Sequence, residues 1–296
     1  MPARLNFAVI GDPVEHSLSP RLFRMLFDEL GVVADYRAVP TPPQDLPQRV
    51  ESFRSGEYTG ISVTVPHKEM VIPLLDGLAP SASLIGAVNC LARNESHHTI
   101  GHNTDGQGFQ SALEQAQAKL AGARMLILGS GGAARAAAFT AAKFGARSLT
   151  LLNRSKDRAS RLSRDLIRCG LAREGTSAGN EAPGCSVAAL PLLPSSFAVG
   201  PVDVIVNATT VGLGAETDDP LPASFELSKR HAVMDMVYRP LETRLLKRAR
   251  AAGAVAIDGL WMLVYQALEQ FRLWTSRSPQ ADFAERVHAE LSKEAR

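Results

Sequence analysis

The chain lacks what would build a disulfide framework, a metal cage or a membrane span. Its 296 residues hold three cysteines, Cys90, Cys169 and Cys185, an odd number without CxxC spacing. That suggests neither paired disulfides nor a zinc site and fits a reducing cytoplasm. No cluster of histidines or carboxylates has ligand spacing, so no metal is expected. His16 reads as a residue that shapes its loop, and His97 and His98 fall at a polar hairpin tip. No window approaches the ~20 apolar residues of a membrane span. The opening MPARLNFAVIG has too short an apolar run for a signal peptide and reads as a first strand. With 32 basic against 30 acidic residues and no Lys/Arg block, a nucleic-acid surface is not expected either. There is no repeat at solenoid spacing. The expectation is a soluble, cytoplasmic globular chain, long enough for two domains with separate cores.

What is present centres on Arg124–Ser155. An apolar run, Met125–Leu128, is followed at once by Gly129, Gly131 and Gly132, then by an Ala-rich segment, Ala133–Phe144, and by a second apolar run, Leu149–Leu152. Strand, glycine turn, helix, strand is half of a dinucleotide-binding βαβ unit. Its spacing is G-x-G-x-x-A, with Ala134 small enough for tight helix–strand packing. Gly129, Ser130, Gly131, Gly132 and Ala133 would bring backbone N–H groups and a helix N-terminus to a pyrophosphate. An NAD-type site needs a carboxylate at the end of the second strand; this chain has Asn153, then Arg154, Ser155 and Arg158. Two guanidiniums and a hydroxyl suit a 2′-phosphate, which favours NADP. Alternatively, these residues are a solvated helix start with Ser155 as its N-cap.

Upstream, Leu5–Ile10, Tyr36–Val39 and Gly60–Val65 read as strands. Ser19 reads as N-cap of a helix Arg21–Leu30, and His67-Lys68-Glu69 open a helical stretch after Pro66. Ser83–Leu91 reads as a turn and short strand, Glu95–His98 as a hairpin tip and Thr99–His102 as its return. Asn103–Gly106 then cap a helix Gln107–Leu120. Downstream, Asp157–Arg168 reads as a basic helix and Gly170–Gly184 as a loop without apolar period. Ser186–Leu190, Val202–Asn207, His231–Val237 and Ala254–Asp258 read as strands, and Glu242–Ala252 as a helix. Gly259 begins a turn before the apolar helix Trp261–Trp274, in which Gln266 must find a polar partner. Ala281–Lys293 is a last helix.

Nine pieces, in order and over nearly the whole chain, resemble the shikimate dehydrogenase family: HSLSP (His16–Pro20), GISVTVPHK (Gly60–Lys68), IGAVN (Ile85–Asn89), NTDG (Asn103–Gly106), GSGGAA (Gly129–Ala134), NRSKDR (Asn153–Arg158), NATTVG (Asn207–Gly212), DMVY (Asp235–Tyr238) and DGLWMLVYQA (Asp258–Ala267). The resemblance implies NADP-linked interconversion of 3-dehydroshikimate and shikimate, on the route to chorismate and aromatic amino acids. It implies two α/β domains around a cleft. Residues 1–105 form the substrate domain and residues 106–259 a Rossmann-type NADP domain, and the helices of 260–296 return to the first. By itself Lys68 reads as a solvated cation and Asp105 as a turn or cap residue. The resemblance makes them a catalytic pair, with Lys68 moving the proton and Asp105 orienting it. It assigns Ser17 and Ser19 to the substrate carboxylate and Thr64, Asn89, Tyr238 and Gln266 to the rest of the substrate. Thr209, Met236 and Gly259 go to the cofactor, the last two beside the nicotinamide. Partners are then a small-molecule substrate only, and the chain a monomer or homodimer.

The chain departs from the family pattern around the substrate half. Phe23-Arg24 stand where the family shows His-Asn, Ser62 replaces Asn, His67 replaces Phe and Cys90 replaces Thr. Quinate or an aminated shikimate analogue stays open as substrate, since side chains rather than fold choose among them. Ser at both Ser17 and Ser19 leans toward shikimate. A non-catalytic NADP-binding module is disfavoured by the intact Lys68 and Asp105, and a folate or aldehyde enzyme by the Ser-x-Ser and NTDG loops.

Overall fold

The computed structural model describes residues 4–175, 184–214 and 217–295. The chain forms two compact units, Met1–Gly108 with Leu263–Leu291, and Phe109–Met262 with Ser292–Arg296. Its elements begin with β1 (Leu5–Gly11), α1 (Ser19–Leu30), β2 (Ala34–Pro40), α2 (Leu46–Arg54), β3 (Gly60–Val63) and α3 (His67–Met70). Then come β4 (Gly77–Leu78), α4 (Pro80–Ile85), β5 (Cys90–Arg93), β6 (Thr99–His102) and α5 (Asp105–Gln115). The middle of the chain gives β7 (Arg124–Leu128), α6 (Gly132–Lys143), β8 (Ser148–Asn153), α7 (Lys156–Arg168), β9 (Ala172–Glu174) and β10 (Cys185–Pro191). The last elements are β11 (Val204–Asn207), β12 (Ala232–Asp235), α8 (Arg244–Ala251), β13 (Val255–Ile257), α9 (Gly259–Thr275) and α10 (Phe283–Leu291).

The first unit is built on a six-stranded mixed sheet of order β2-β1-β3-β5-β6-β4. β1 lies parallel to β2 and β3, whereas β5 runs antiparallel to β3 and β6. Phe7, Ala8, Val9 and Ile10 of β1 are all buried, as expected for a strand covered on both faces. Ile10, Leu46, Val50, Phe53, Ile61, Val88 and Leu91 form its core. α1 buries Leu22, Phe23, Leu26 and Phe27 and stops at Gly31, whose φ of 59° a side chain would resist.

Several local expectations fail for physical reasons. Ser19 is inside α1 rather than its N-cap; Leu18 holds that position, and the Ser17 hydroxyl accepts from Ser19 N at 3.2 Å. β3 ends at Val63, so Thr64 lies past the strand, its N–H on Ile10 O. The helix expected to reach Leu120 ends at Gln115, and Gln117 takes φ 57°, a left-handed stop. α4, opened by Pro80, was hidden in a Ser/Ala segment without apolar period.

The second unit carries a seven-stranded sheet, β13-β12-β11-β7-β8-β10-β9, in which every pairing is parallel. The glycine-turn strand β7 sits between β8 and β11, where the chain's winding direction reverses. In open parallel sheets ligands bind outside the carboxyl ends of the strands at such a point. The alanines of α6 matter by size: Ala134, Ala136, Ala137, Ala138 and Ala141 are buried, and small side chains there permit close helix–sheet packing. Leu126, Leu128, Leu152, Ile205, Val233 and Leu245 fill one side of the core. The segment expected as loop opens with the edge strand β9, paired to β10; its residues 176–183 lie outside the described residues.

Candidate active site

In the first unit four expected residues meet in one hydrogen-bonded set. Lys68 stands on the single turn of α3, fixed there because its carbonyl accepts from Val88 N at 2.7 Å. Its Nζ donates to Asp105 Oδ2 at 2.6 Å, with the lysine side chain 14% and the carboxylate 1% exposed. Asp105 is the first residue of α5, where the helix dipole favours a negative charge. Asn103 Oδ1 accepts from Gly106 N at 3.3 Å and holds that first turn in place. The other carboxylate oxygen, Oδ1, accepts from Asn89 Nδ2 at 2.8 Å. The same nitrogen donates to Gln266 Oε1 at 2.7 Å. Asn89 Nδ2 has two protons, both now committed, so its 3.0 Å approach to Thr104 Oγ1 carries none. Asn89 Oδ1 in turn accepts from Thr104 N at 2.8 Å. The result is one ammonium held on a buried carboxylate whose second oxygen is fixed by an amide, an arrangement able to take up or release a proton at Lys68 Nζ.

Ser17, Ser19 and Thr64 stay outside this set among the hydrogen bonds of the described residues. Ser17 and Ser19 form a turn of their own at the start of α1. Thr64 lies against Gly11, where an added Cβ would come 2.4 Å from Thr64 Cγ2, so the glycine admits the threonine. Tyr238 lies in the second unit, in the segment after β12. Sequence reasoning missed Thr104 and Gln270. Gln270 is buried in α9 one turn beyond Gln266, and its Nε2 donates to Asn89 O at 3.2 Å and Thr104 Oγ1 at 3.3 Å. The available signal was a second amide at i+4 on the same apolar helix. His67 is fully buried; because Thr41 O can only accept, His67 Nε2 carries the proton of their 2.6 Å contact.

In the second unit, the glycine turn has the features a pyrophosphate requires. Gly129 takes φ 108°, and a Cβ there would meet Ala208 O at 2.8 Å and Thr209 Cγ2 at 3.4 Å. Its N–H donates to Leu152 O at 2.7 Å, tying the turn to the end of β8. Gly131 is the N-cap of α6, without a side-chain cap and with nothing within 4 Å of where its Cβ would be. The hydroxyl of Ser130 is buried without a partner. An uncapped helix start, an orphaned hydroxyl and open space above Gly131 fit an anionic ligand. At the end of β8, Asn153 Nδ2 donates to Ser155 O at 3.0 Å, and Ser155 Oγ caps α7 by accepting from Arg158 N at 3.4 Å. Arg154 and Arg158 are exposed there, and no carboxylate occupies the strand end. The cap role left open for Ser155 is therefore real, while its hydroxyl proton remains available to an acceptor.

Two further parts flank that turn. Thr209 donates through Oγ1 to Asn207 Oδ1 at 2.7 Å and receives Val211 N at 3.1 Å, so its hydroxyl is part of the loop's own bonding. Gly259, expected in a turn, is the first residue of α9; a Cβ there would sit 2.4 Å from Met236 O. Asp235, at the end of β12, accepts from Asn207 Nδ2 (2.8 Å), Val237 N (3.0 Å) and Thr243 Oγ1 (2.7 Å). Burial nevertheless pushes its carboxyl up to about 6, because three donors do not fully replace water. Among the described residues no group of three or more His, Cys, Asp or Glu could hold a metal ion, and no helix is long and apolar enough to cross a membrane.

Comparison with known proteins shows what the chain is similar to. Residues 9–91 match the family model for the shikimate dehydrogenase substrate binding domain, and residues 259–287 that for the shikimate 5′-dehydrogenase C-terminal domain. The NADP(+) shikimate dehydrogenase of Methanosarcina mazei is 39% identical over 283 residues, covering 95% of this chain and 96% of the relative. The crystal structure of shikimate 5-dehydrogenase from Thermus thermophilus, in complex with NADP(H) and shikimate, superposes with a TM-score of 0.81 at 35% identity, covering 97% of this chain and 99% of that one. The quinate dehydrogenase of Corynebacterium glutamicum in complex with NAD gives a TM-score of 0.81 at 30% identity, covering 98% and 99%. With such identity sustained along almost its entire length, the chain belongs to the shikimate dehydrogenase family.

Proposed function

We propose that this chain is an NADP-dependent oxidoreductase acting on a CH–OH group, interconverting shikimate and 3-dehydroshikimate. The observation that carries the reading is the buried Lys68–Asp105–Asn89–Gln266 set, with Lys68 Nζ held at 2.6 Å on the carboxylate. NADP, when bound, supplies the hydride acceptor for alcohol oxidation. Lys68, as the free amine, takes the proton of the reacting hydroxyl in that direction; in ketone reduction its ammonium returns the proton to the alkoxide. Asp105, 2.6 Å from Lys68 Nζ, orients that nitrogen. Asn89 keeps the carboxylate from rotating away from Lys68.

In the same reading Ser17 and Ser19 bind the substrate carboxylate through their hydroxyls. Thr64, Tyr238 and Gln266 meet the ring substituents, Gln266 with Nε2 since its Oε1 is held by Asn89. Asn89, expected among them, has its amide committed to Asp105, Gln266 and Thr104 and serves through those partners. Gly129, Ser130, Gly131, Gly132 and Ala133 cradle the pyrophosphate. Asn153, Arg154, Ser155 and Arg158 take the adenosine ribose and its 2′-phosphate, and Thr209, Met236 and Gly259 line the nicotinamide side. The absence of a carboxylate at the end of β8 among the described residues favours NADP over NAD. Residues 1–105 with the helices of 260–296 then serve the substrate, and residues 106–259 the cofactor. Three free cysteines suit a cytoplasmic chain working as monomer or homodimer on a small molecule. The test is direct: addition of shikimate to the purified protein with NADP should produce NADPH absorbance. A protein inert toward shikimate and quinate alike is no dehydrogenase of this class.

A further inference from the structure

A second line of hydrogen bonds reaches the proposed acid–base pair from behind, and all its proton directions follow from one group. Asn89 O is a backbone carbonyl and only accepts, so the nitrogen of the Gln270 amide must face it, at 3.2 Å. That turns Gln270 Oε1 toward Ser62, whose hydroxyl must then donate, at 2.5 Å. With its one proton committed, Ser62 accepts from Tyr36 Oη at 2.6 Å. The second proton of Gln270 Nε2 goes to Thr104 Oγ1, 3.3 Å away. The Thr104 hydroxyl is then left to donate to Asn89 Oδ1 at 3.2 Å, beside the Thr104 N–H at 2.8 Å. Asn89 Oδ1 thus faces two donors, and its Nδ2 is turned to Asp105 Oδ1 and Gln266 Oε1.

We infer that Tyr36, Ser62 and Gln270 are positioning residues for the reaction, a buried relay that acts through the Thr104 hydroxyl, together with the Thr104 N–H, to hold the orientation of the Asn89 amide and so Asp105 against Lys68. A reversed Asn89 would set its oxygen against the Asp105 carboxylate and leave that group short of a donor inside the protein, which buried polar groups resist. Ser62 and Gln270 are buried, and Phe23 stacks on the Tyr36 ring with centroids 4.2 Å apart and planes 7° from parallel, so the relay has little freedom. The inference rests on the dehydrogenase reading for its catalytic consequence, but the amide orientation can be tested without it.

The experiment compares Tyr36→Phe, Ser62→Ala, Gln270→Leu and the double variant Ser62→Ala/Gln270→Leu with wild type, reading kcat, KM for shikimate and NADP, thermal midpoint and hydrogen exchange of the Asn89 side-chain amide by NMR. Gln270→Leu should lower kcat roughly tenfold to a hundredfold, because small displacements of reacting groups cost that much. KM for NADP should stay within about twofold, and Tyr36→Phe should show the smallest loss. The double variant should cost about as much as Gln270→Leu alone, since both act along one path. Ser62→Thr, which keeps the hydroxyl, should retain kcat. Exchange of the Asn89 amide should quicken about tenfold or more in Ser62→Ala while backbone amides of β1 and β3 stay protected. If kcat per folded molecule is unchanged in Gln270→Leu and Tyr36→Phe, whatever their thermal midpoints, or if the two losses simply add, the relay does not position the site. A wild type inactive on shikimate and quinate alike sinks the dehydrogenase reading alone, and Asn89 exchange still decides the relay.

Discussion

At the scale of single residues, chemistry and stability separate cleanly between two carboxylates. Asp105 has an ammonium on one oxygen and an amide on the other. Asp235 has three neutral donors, Asn207 Nδ2, Val237 N and Thr243 Oγ1, and burial raises its carboxyl to about 6. For the first, Lys68→Ala should lower kcat by at least about 10²-fold, the usual size of a general acid–base contribution. KM for shikimate should rise far less, since the loss falls on the transition state; a matched rise in KM with kcat intact would make Lys68 a binding group only. For the second, the folded carboxyl sits above its ordinary value of 3.8. Its contribution to stability is therefore full below about pH 4 and is lost as pH rises through about 6. Against Asp235→Asn, which cannot ionise, wild type should lose up to about 3 kcal/mol of relative stability between about pH 4 and pH 7 in urea unfolding. A pH-independent gap would mean that Asp235 keeps an ordinary carboxyl in the fold.

At the scale of elements, two turns carry specific demands. The end of β8 offers exposed Arg154 and Arg158 beside a capped α7 start. Arg154→Ala should raise KM for NADP by roughly one to three orders of magnitude and leave KM for NAD nearly unchanged, as lost charge-assisted phosphate bonds require. Equal effects on both cofactors would place Arg154 away from the 2′-phosphate. The start of α9 is a steric matter: a methyl at Gly259 would collide with backbone atoms, Met236 O at 2.4 Å and Met236 C at 2.5 Å, which cannot swing aside. Gly259→Ala should destabilise the protein by about 1–3 kcal/mol or more in urea unfolding. Element boundaries also show where sequence reading stopped. The βαβ core was legible because strand, glycines, alanines and strand follow one another without interruption. α4 and β9 were not, because Ser/Ala-rich and short edge segments have no apolar period to read. Ser19 looked like a cap because its chemistry suits one, yet the chain turns a residue earlier, at Leu18.

At the scale of the whole molecule, each unit closes its own core around its own sheet. One carries the Lys68–Asp105–Asn89–Gln266 set, the other the glycine turn and the exposed Arg154 and Arg158. Lys68, Asp105, Asn89 and Gln266 were legible only through nine motifs in order; no spacing rule brings residues so far apart in sequence together. Gln270, Ser62 and Tyr36 escaped because their role lies in the direction of protons along a buried chain, which no motif records. The most direct measurement of the central claim is kcat/KM for shikimate and quinate, each with NADP and NAD. The expected result is that shikimate with NADP exceeds every other combination by at least about tenfold, or roughly 1.4 kcal/mol of transition-state binding. Greater efficiency with quinate, or with NAD, would contradict the account.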